Sequence, residues 1–272
     1  MTYPVPAGRT AAMPSPPTHA LAVDAVYVLA VKTFRERIAH ATGELNRHDI
    51  SFEFIFDFDV PDLDDALIAA RFVAGVMPPP LMSLVLKHLQ AWRLACERGH
   101  GRILVFEDDV LLHPQFATRL NAAMQEAAAL APGWLVYLGG ADARVPNEFF
   151  LARGPLIELP IATTEGYVTD LVACRERLAW CDANLIGKPA DHLMRRMDAA
   201  LGIRHYWLRD AIVEQGSVTG LFDSVLDTNR MKYHRFINTA RNRWNKLRRR
   251  KLRRMWVSAA ARLHGAKRET SR

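Results

Sequence analysis

Glu107, Asp108 and Asp109 stand in a row within "RILVFEDDVLLHP", residues 102–114, with apolar runs on both sides. Adjacent like charges repel, so a fold that keeps three carboxylates together must compensate them. Side chains alternate along a strand, which predicts Glu107 and Asp109 on one side and Asp108 on the other. Carboxylates at the carboxyl end of a parallel strand sit where α/β sheets bind ligands. Hard oxygen donors suit Mg²⁺ or Mn²⁺, ions that complete their shells with water and substrate phosphates. A solvated acidic turn is the plain alternative, and a metal-dependent nuclease or phosphatase would use the same triplet.

The elements that must position these acids are legible nearby. "AVYVLAV" (25–31) reads as a buried strand, "FRERIAHATGELNRH" as a helix and "SFEFIFDFD" (51–59) as a second strand. A helical pattern returns at 62–74, and "PPP" (78–80) is read as a break, with Ser83 as N-cap of the next helix and Gly99 as its stop. That helix puts Leu84, His88, Trp92 and Ala95 near one face. "RILVF" is the next strand, "QFATRLNAAMQEAAALA" a helix and "GWLVYLGG" a strand ending in two glycines. Strands follow at "PLIELPIA" and "DAIVEQ", with helices near 175–185 and 190–201. Strands alternating with helices predict an α/β domain with a mostly parallel sheet.

The charge is divided unevenly. Residues 232–272 hold 15 Lys and Arg against one acid, a net +14, and the remaining 21 basic and 28 acidic residues leave 1–231 at −7. The excess of base therefore belongs to the end of the chain. Three cysteines, Cys96, Cys174 and Cys181, are too few for a disulfide framework. Cys174 and Cys181 are able to pair, but a reducing cytoplasmic setting is the simpler expectation. Residues 1–22 are read as a disordered lead-in, because 1–20 carry five prolines and no signal-like apolar core. No apolar run is long enough to span a membrane.

Several segments together resemble glycosyltransferase family 25, the bacterial lipopolysaccharide and lipooligosaccharide glycosyltransferases related to collagen galactosyltransferases. The resemblance rests on "VYVLAVKTFRER" (26–37), "LKHLQAW" (86–92), "ILVFEDDV" (103–110), "WLVYLGG" (134–140), "TEGYVT" (164–169), "KPADHLM" (188–194) and "IVEQGSVTGLFDSVL" (212–226). Their order and spacing hold over about residues 24–228. Five positions depart from the family pattern: Ala30 for Asn, Lys87 for Ser, Ser83-Leu84 for Gly-Cys, and Glu165 for His.

The resemblance implies a GT-A-like, Rossmann-type nucleotide-sugar-binding domain over 23–231, followed by a basic helical tail at 232–272. It also implies an inverting, metal-dependent sugar transfer, with UDP-galactose among the candidate donors and a lipopolysaccharide or related glycan as acceptor. Glu107 and Asp109 are then the expected metal ligands for Mn²⁺ or Mg²⁺, which would stabilise the charge growing on a departing nucleoside diphosphate. Arg37, His88, Asp108, Tyr167, Gln215 and Ser224 are the expected donor-binding residues. The acceptor hydroxyl needs a base, for which Asp191 is the first candidate, ahead of Glu165 and Asp170. Structural alternatives stand beside these roles: a helix cap for Asp191, core packing for His88 and Tyr167, and a solvated face for Arg37. Rival readings of the whole chain are a degenerate glycosyltransferase that binds without turnover and a phosphoesterase.

The tail, "RFINTARNRWNKLRRRKLRRMWVSAAARLHG", spaces its apolar residues by threes and fours among arginines and lysines. Residues 235–263 therefore read as a basic amphipathic helix for an anionic membrane surface, which would hold the protein on the inner face of the cytoplasmic membrane. The acidic body argues against a nucleic-acid footprint.

Overall fold

The computed structural model describes residues 20–140, 145–152, 154–160, 163–219, 222, 244 and 247–269. Among them, a seven-stranded mixed sheet runs in the order β2-β1-β3-β7-β5-β8-β6. Its strands are β1 (Ala25–Leu29), β2 (Glu53–Ile55), β3 (Arg102–Glu107), β5 (Trp134–Tyr137), β6 (Leu156–Glu158), β7 (Gly166–Asp170) and β8 (Arg204–Leu208). β1 pairs in parallel with β2 and β3, and β5 with β8. β7 runs antiparallel between β3 and β5, and β6 runs antiparallel at the edge. A two-stranded ribbon pairs β4 (Val110–Leu112) with β9 (Val213–Gln215).

The helices are α1 (Arg35–Asn46), α2 (Asp65–Arg71), α3 (Pro79–Arg98), α4 (Phe116–Ala127), α5 (Glu148–Leu151), α6 (Leu171–Ala183), α7 (Ala190–Leu201), α8 (Gly216–Thr219) and α9 (Arg253–Glu269). Alternate residues of each strand feed two cores. Tyr27, Ile103, Val105, Leu135, Tyr137 and Tyr167 face one core, which contains Trp92 of α3. Val26, Val28, Leu104, Phe106, Val136 and Val168 face the other, with Phe116 and Leu120 of α4. That division is what strand geometry requires of a sheet covered on both sides.

The structure departs from the sequence reading at the proline run. The prolines open α3: Pro78 is its N-cap and proline occupies its first positions. Proline lacks the N–H that a first helical turn leaves unpaired, and its φ is already helical, so it begins a helix as readily as it ends one. Ser83 consequently lies buried inside α3 instead of capping it. Gly99 does end the helix, in the left-handed conformation at φ 68°. The three cysteines are free thiols, and Cys181 donates to Met197 Sδ at 3.6 Å.

Residues 1–19 of the expected lead-in lie outside the described residues. Residues 20–22 pack on α4, where Ala22 N donates to Asn121 Oδ1 at 2.8 Å. Most of 232–246 also lies outside the described residues. A π-helical stretch, Leu247–Leu252, leads into α9, which rests on the domain: Val257 joins the first core, and Arg253 Nη1 donates to Val145 O at 2.8 Å.

Candidate active site

β3 ends at Glu107, and Asp108 and Asp109 form the turn into β4. The turn breaks the expected alternation of faces. Glu107 and Asp108 both line a cleft of about 300 Å³, whereas Asp109 is fully buried beside it. The cleft opens at the carboxyl ends of β1 and β3. The β1–α1 connection forms one wall through Ala30 and Phe34, and the first turns of α3 form another through Ser83 and Lys87. Val60 and Pro61 complete it. An apolar slot with acids at one end can take a flat ring and a charged group together.

The compensation demanded by three adjacent acids comes from α1. Arg37 Nη2 lies 2.7 Å from Asp108 Oδ1 and 3.3 Å from Asp109 Oδ2. Its guanidinium also sits over the rings of Phe34 and Phe222, at 5.9 and 5.8 Å. Asp109 Oδ2 accepts from Ser217 N at 3.0 Å, and Asp109 O accepts from Gly216 N at 2.6 Å. Gln215 Nε2 donates to Glu107 Oε2 at 3.1 Å. The β4–β9 ribbon makes these contacts possible by pairing Val110 with Gln215.

The compensation is incomplete. Asp109 Oδ1 and Arg37 Nε are buried without partners among the described residues. Burial, then repulsion from Asp109, pushes the Glu107 carboxyl up to about 8. Burial raises Asp108 to about 6 against the pull of Arg37. Carboxylates held this far from their ordinary range occur at functional sites as well as in structural ion-pair networks. The donor chemistry fits a hard divalent cation: all three side chains offer oxygen, and one buried oxygen is unsatisfied. No group of three or more acid, His or Cys side chains among the described residues is arranged to hold an ion alone.

Glu165 stands beside this tip, where Glu107 N donates to Glu165 O at 3.2 Å. Its own carboxylate accepts from Gly140 N at 2.5 Å. The glycine pair after β5 therefore has two separate reasons. A Cβ on Gly139 would lie 2.2 Å from Glu165 Oε1, and Gly140 adopts φ 73° with Trp207 where its side chain would be.

Other expected residues fall elsewhere. His88 and Tyr167 contact each other in the core, with His88 Nδ1 and Tyr167 Oη 2.9 Å apart and Trp92 Nε1 donating to the same hydroxyl at 3.1 Å. Burial, then the charge of Arg177, lowers His88 to about 3, so it is neutral. Neither residue lines the cleft. Asp191 lies in the first turn of α7, where its Oδ1 accepts from His192 N at 2.7 Å, and no described contact joins it to the acidic tip. Asp170 is at the opposite end of the sheet, paired with Arg102, and caps α6 through Ala173 N at 2.9 Å. That carboxylate caps the helix and lies away from the acidic tip. Ser224 lies outside the described residues.

Lys87, one of the departures from the family pattern, lines the cleft. Lys87 is buried, and its Nζ donates to Asp57 O at 2.7 Å and to Asp59 Oδ1 at 2.8 Å. Desolvation lowers its pKa. What the sequence could not show was its ion pair with Asp59, 28 residues away along the chain.

With this geometry in hand, the likenesses to known proteins have a place to land. The model for glycosyltransferase family 25 (LPS biosynthesis protein) matches residues 23–142. The lacto-N-neotetraose biosynthesis glycosyltransferase LgtB of Neisseria meningitidis serogroup B is 38% identical over 93 residues, 32% of this chain and 33% of that protein. LgtE of the same organism is 29% identical over 184 residues, 62% of this chain and 65% of its own. The human inactive glycosyltransferase 25 family member 3 is 32% identical over 142 residues, 47% of this chain and 22% of its own. The chain thus spans less than two thirds of each of these three relatives. A solved glycosyltransferase involved in glycosylation of the PBCV-1 major capsid covers 81% of this chain and 99% of its own, at 10% identity and a TM-score of 0.39, too distant to bear on function. The matched segment holds β1, Arg37, the helix of Lys87 and His88, and the acidic tip, so over residues 23–142 this chain is similar to glycosyltransferase family 25.

Proposed function

We propose that this chain transfers a sugar from a nucleotide-sugar donor to a glycan acceptor of the lipopolysaccharide type, within a GT-A-like domain. The observation that carries the reading is the incompletely neutralised tip, Glu107-Asp108-Asp109, at one end of an apolar cleft at the carboxyl ends of β1 and β3. The slot beside Ala30, Phe34 and Val60 suits the nucleoside, which leaves the diphosphate over the acids and Arg37. Glu107 and Asp109, with donor oxygens, would hold Mn²⁺ or Mg²⁺, whose chemistry is to offset the charge that builds on the leaving diphosphate. Arg37 adds a fixed positive charge at the same place. Glu165, oriented by Gly140 N–H, is better placed than Asp191 to take the proton of the acceptor hydroxyl. Peripheral attachment to the inner membrane face would bring such an enzyme to a lipid-linked acceptor.

A second reading has its own support: Arg37 already bridges Asp108 and Asp109, as a cation would, and Lys87 fills one cleft wall. In that reading the chain binds donor without turning it over. The experiment that separates them incubates the protein with a panel of nucleotide sugars, Mn²⁺ and truncated lipopolysaccharide acceptors. Acceptor-dependent release of nucleoside diphosphate is the expected result. Donor binding with no release favours the second reading, and no binding of any donor overturns both.

A further inference from the structure

The C-terminal helix has one face that the domain uses and one that it does not. Val257 is 5% exposed in the core, Arg253 is held by Val145 O and Asn147 Oδ1, and its guanidinium lies 5.7 Å from the centre of the Phe150 ring. Positions 253 and 257 share a face by the i, i+4 rule. Leu252, Met255 and Trp256 share another, and they are 45%, 69% and 68% exposed. Trp244, before this stretch, is 56% exposed. Arg248, Lys251 and Arg254 are exposed around the stripe. Among the described residues, Arg248 and Lys251 have no ion-pair partner, and Arg254 reaches Asp210 only at 3.8 Å, with both side chains open to water.

We propose that this outward face is the docking surface for an anionic lipid bilayer, with Leu252, Met255 and Trp256 entering the headgroup boundary and Arg248, Lys251 and Arg254 meeting the lipid charges. The proposal deepens the membrane part of the reading above and is independent of the transfer chemistry. Large apolar side chains standing in water beside unpaired cations are the combination that interfacial helices use, with tryptophan at the boundary. The cations alone would serve a nucleic acid equally well, but Met255 and Leu252 have no task against a phosphate backbone. Val257 and Arg253 fix a neighbouring face of the helix to the domain and leave the stripe exposed. Docking through one face therefore gives the domain a set orientation at the bilayer, which a tail on a flexible tether would not.

The test uses the full chain, sedimented with vesicles of phosphatidylglycerol and phosphatidylcholine or of phosphatidylcholine alone, and followed by tryptophan fluorescence. Binding to the anionic vesicles with a blue shift, weakened by salt, is expected. The double variant Met255→Ser/Trp256→Ser should bind about tenfold more weakly with an unchanged unfolding midpoint. Asp109→Asn should bind vesicles as the parent does, so failure of the catalytic reading leaves this result standing. Equal or absent binding to both vesicles overturns the proposal. So does a double variant that binds normally, or a short DNA duplex that displaces the protein from lipid at stoichiometric amounts.

Discussion

Arg177 and Arg37 are both buried arginines facing carboxylates, and they are treated differently. Arg177 donates to Asp198 through Nε at 2.8 Å and Nη2 at 2.6 Å, and through Nη1 to Thr169 at 2.8 Å. His205 Nε2 lies 2.7 Å from Asp198 Oδ2, and the guanidinium stacks 5.1 Å from the centre of the Trp92 ring. Every nitrogen of Arg177 has a task, and Asp198 is held below the usual carboxylate range by Arg177 and His205 in spite of its burial. Arg37 instead faces two acids with its Nε unpaired, beside a third acid that burial drives toward its neutral form. The hydrogen bonds of Arg177 are complete, although His205 Nδ1 beside them is buried without a partner among the described residues, and such a network supports a fold. The network at Arg37 differs in bordering a cleft, and its unpartnered Asp109 Oδ1 and Arg37 Nε are the reason for proposing a ligand there.

The comparison can be broken by experiment. The largest effect is expected at the satisfied cluster: Asp198→Ala leaves Arg177 buried without its counter-ion and should cost about 3–5 kcal/mol in denaturant unfolding. A loss below about 1 kcal/mol would mean that Arg177 is not held as described. Next comes Asp109→Asn, which keeps an acceptor for Ser217 N but removes the charge. Sugar transfer should fall about 100-fold or more, with the fold intact by circular dichroism.

The third effect is a pH dependence. Glu107 folded titrates at about 8 against an ordinary 4.5, so between these values the folded state keeps a proton that the unfolded state has lost. Stability should therefore fall as pH rises through that window. Glu107→Gln should flatten the slope, measured as urea midpoint against pH. Mn²⁺ added at pH 8 should raise the midpoint of the parent and not of the variant. The smallest effect is expected from Gly139→Ala, whose methyl displaces Glu165. Turnover should drop about tenfold, short of the full contribution of a general base, with little change in unfolding. An unchanged rate would remove Glu165 from the reaction.

Much of this was legible in the residues. The apolar run of 103–106 leading into the acids marked the strand and its end, because a buried strand must be apolar and its tip must be polar. The alternation of strands and helices announced the α/β class. Reading stopped at β7 and β8. "GYVTD" and "RHYWL" are short and mix polar with apolar residues, so they carry weak periodicity of their own. β7 nevertheless lies at the centre of the sheet and supplies Glu165 from the residue before it. The same limit applies to Asp191 and Asp170: only the fold shows that one stands in the first turn of α7 and the other at the far end of the sheet.

The sequence by itself determined that three acids close a buried strand, that a helix bearing Arg37 follows the first strand, and that a basic segment ends the chain. These follow from local patterning, which depends on neighbours in the chain. Only the tertiary structure decided that Arg37 reaches Asp108 and Asp109, that Gly139 leaves room for Glu165, that His88 turns into the core, and that Val257 fixes the terminal helix with its tryptophan outward. Each of those is a meeting between residues far apart in the chain, set by strand order and packing, and no spacing along a sequence records it.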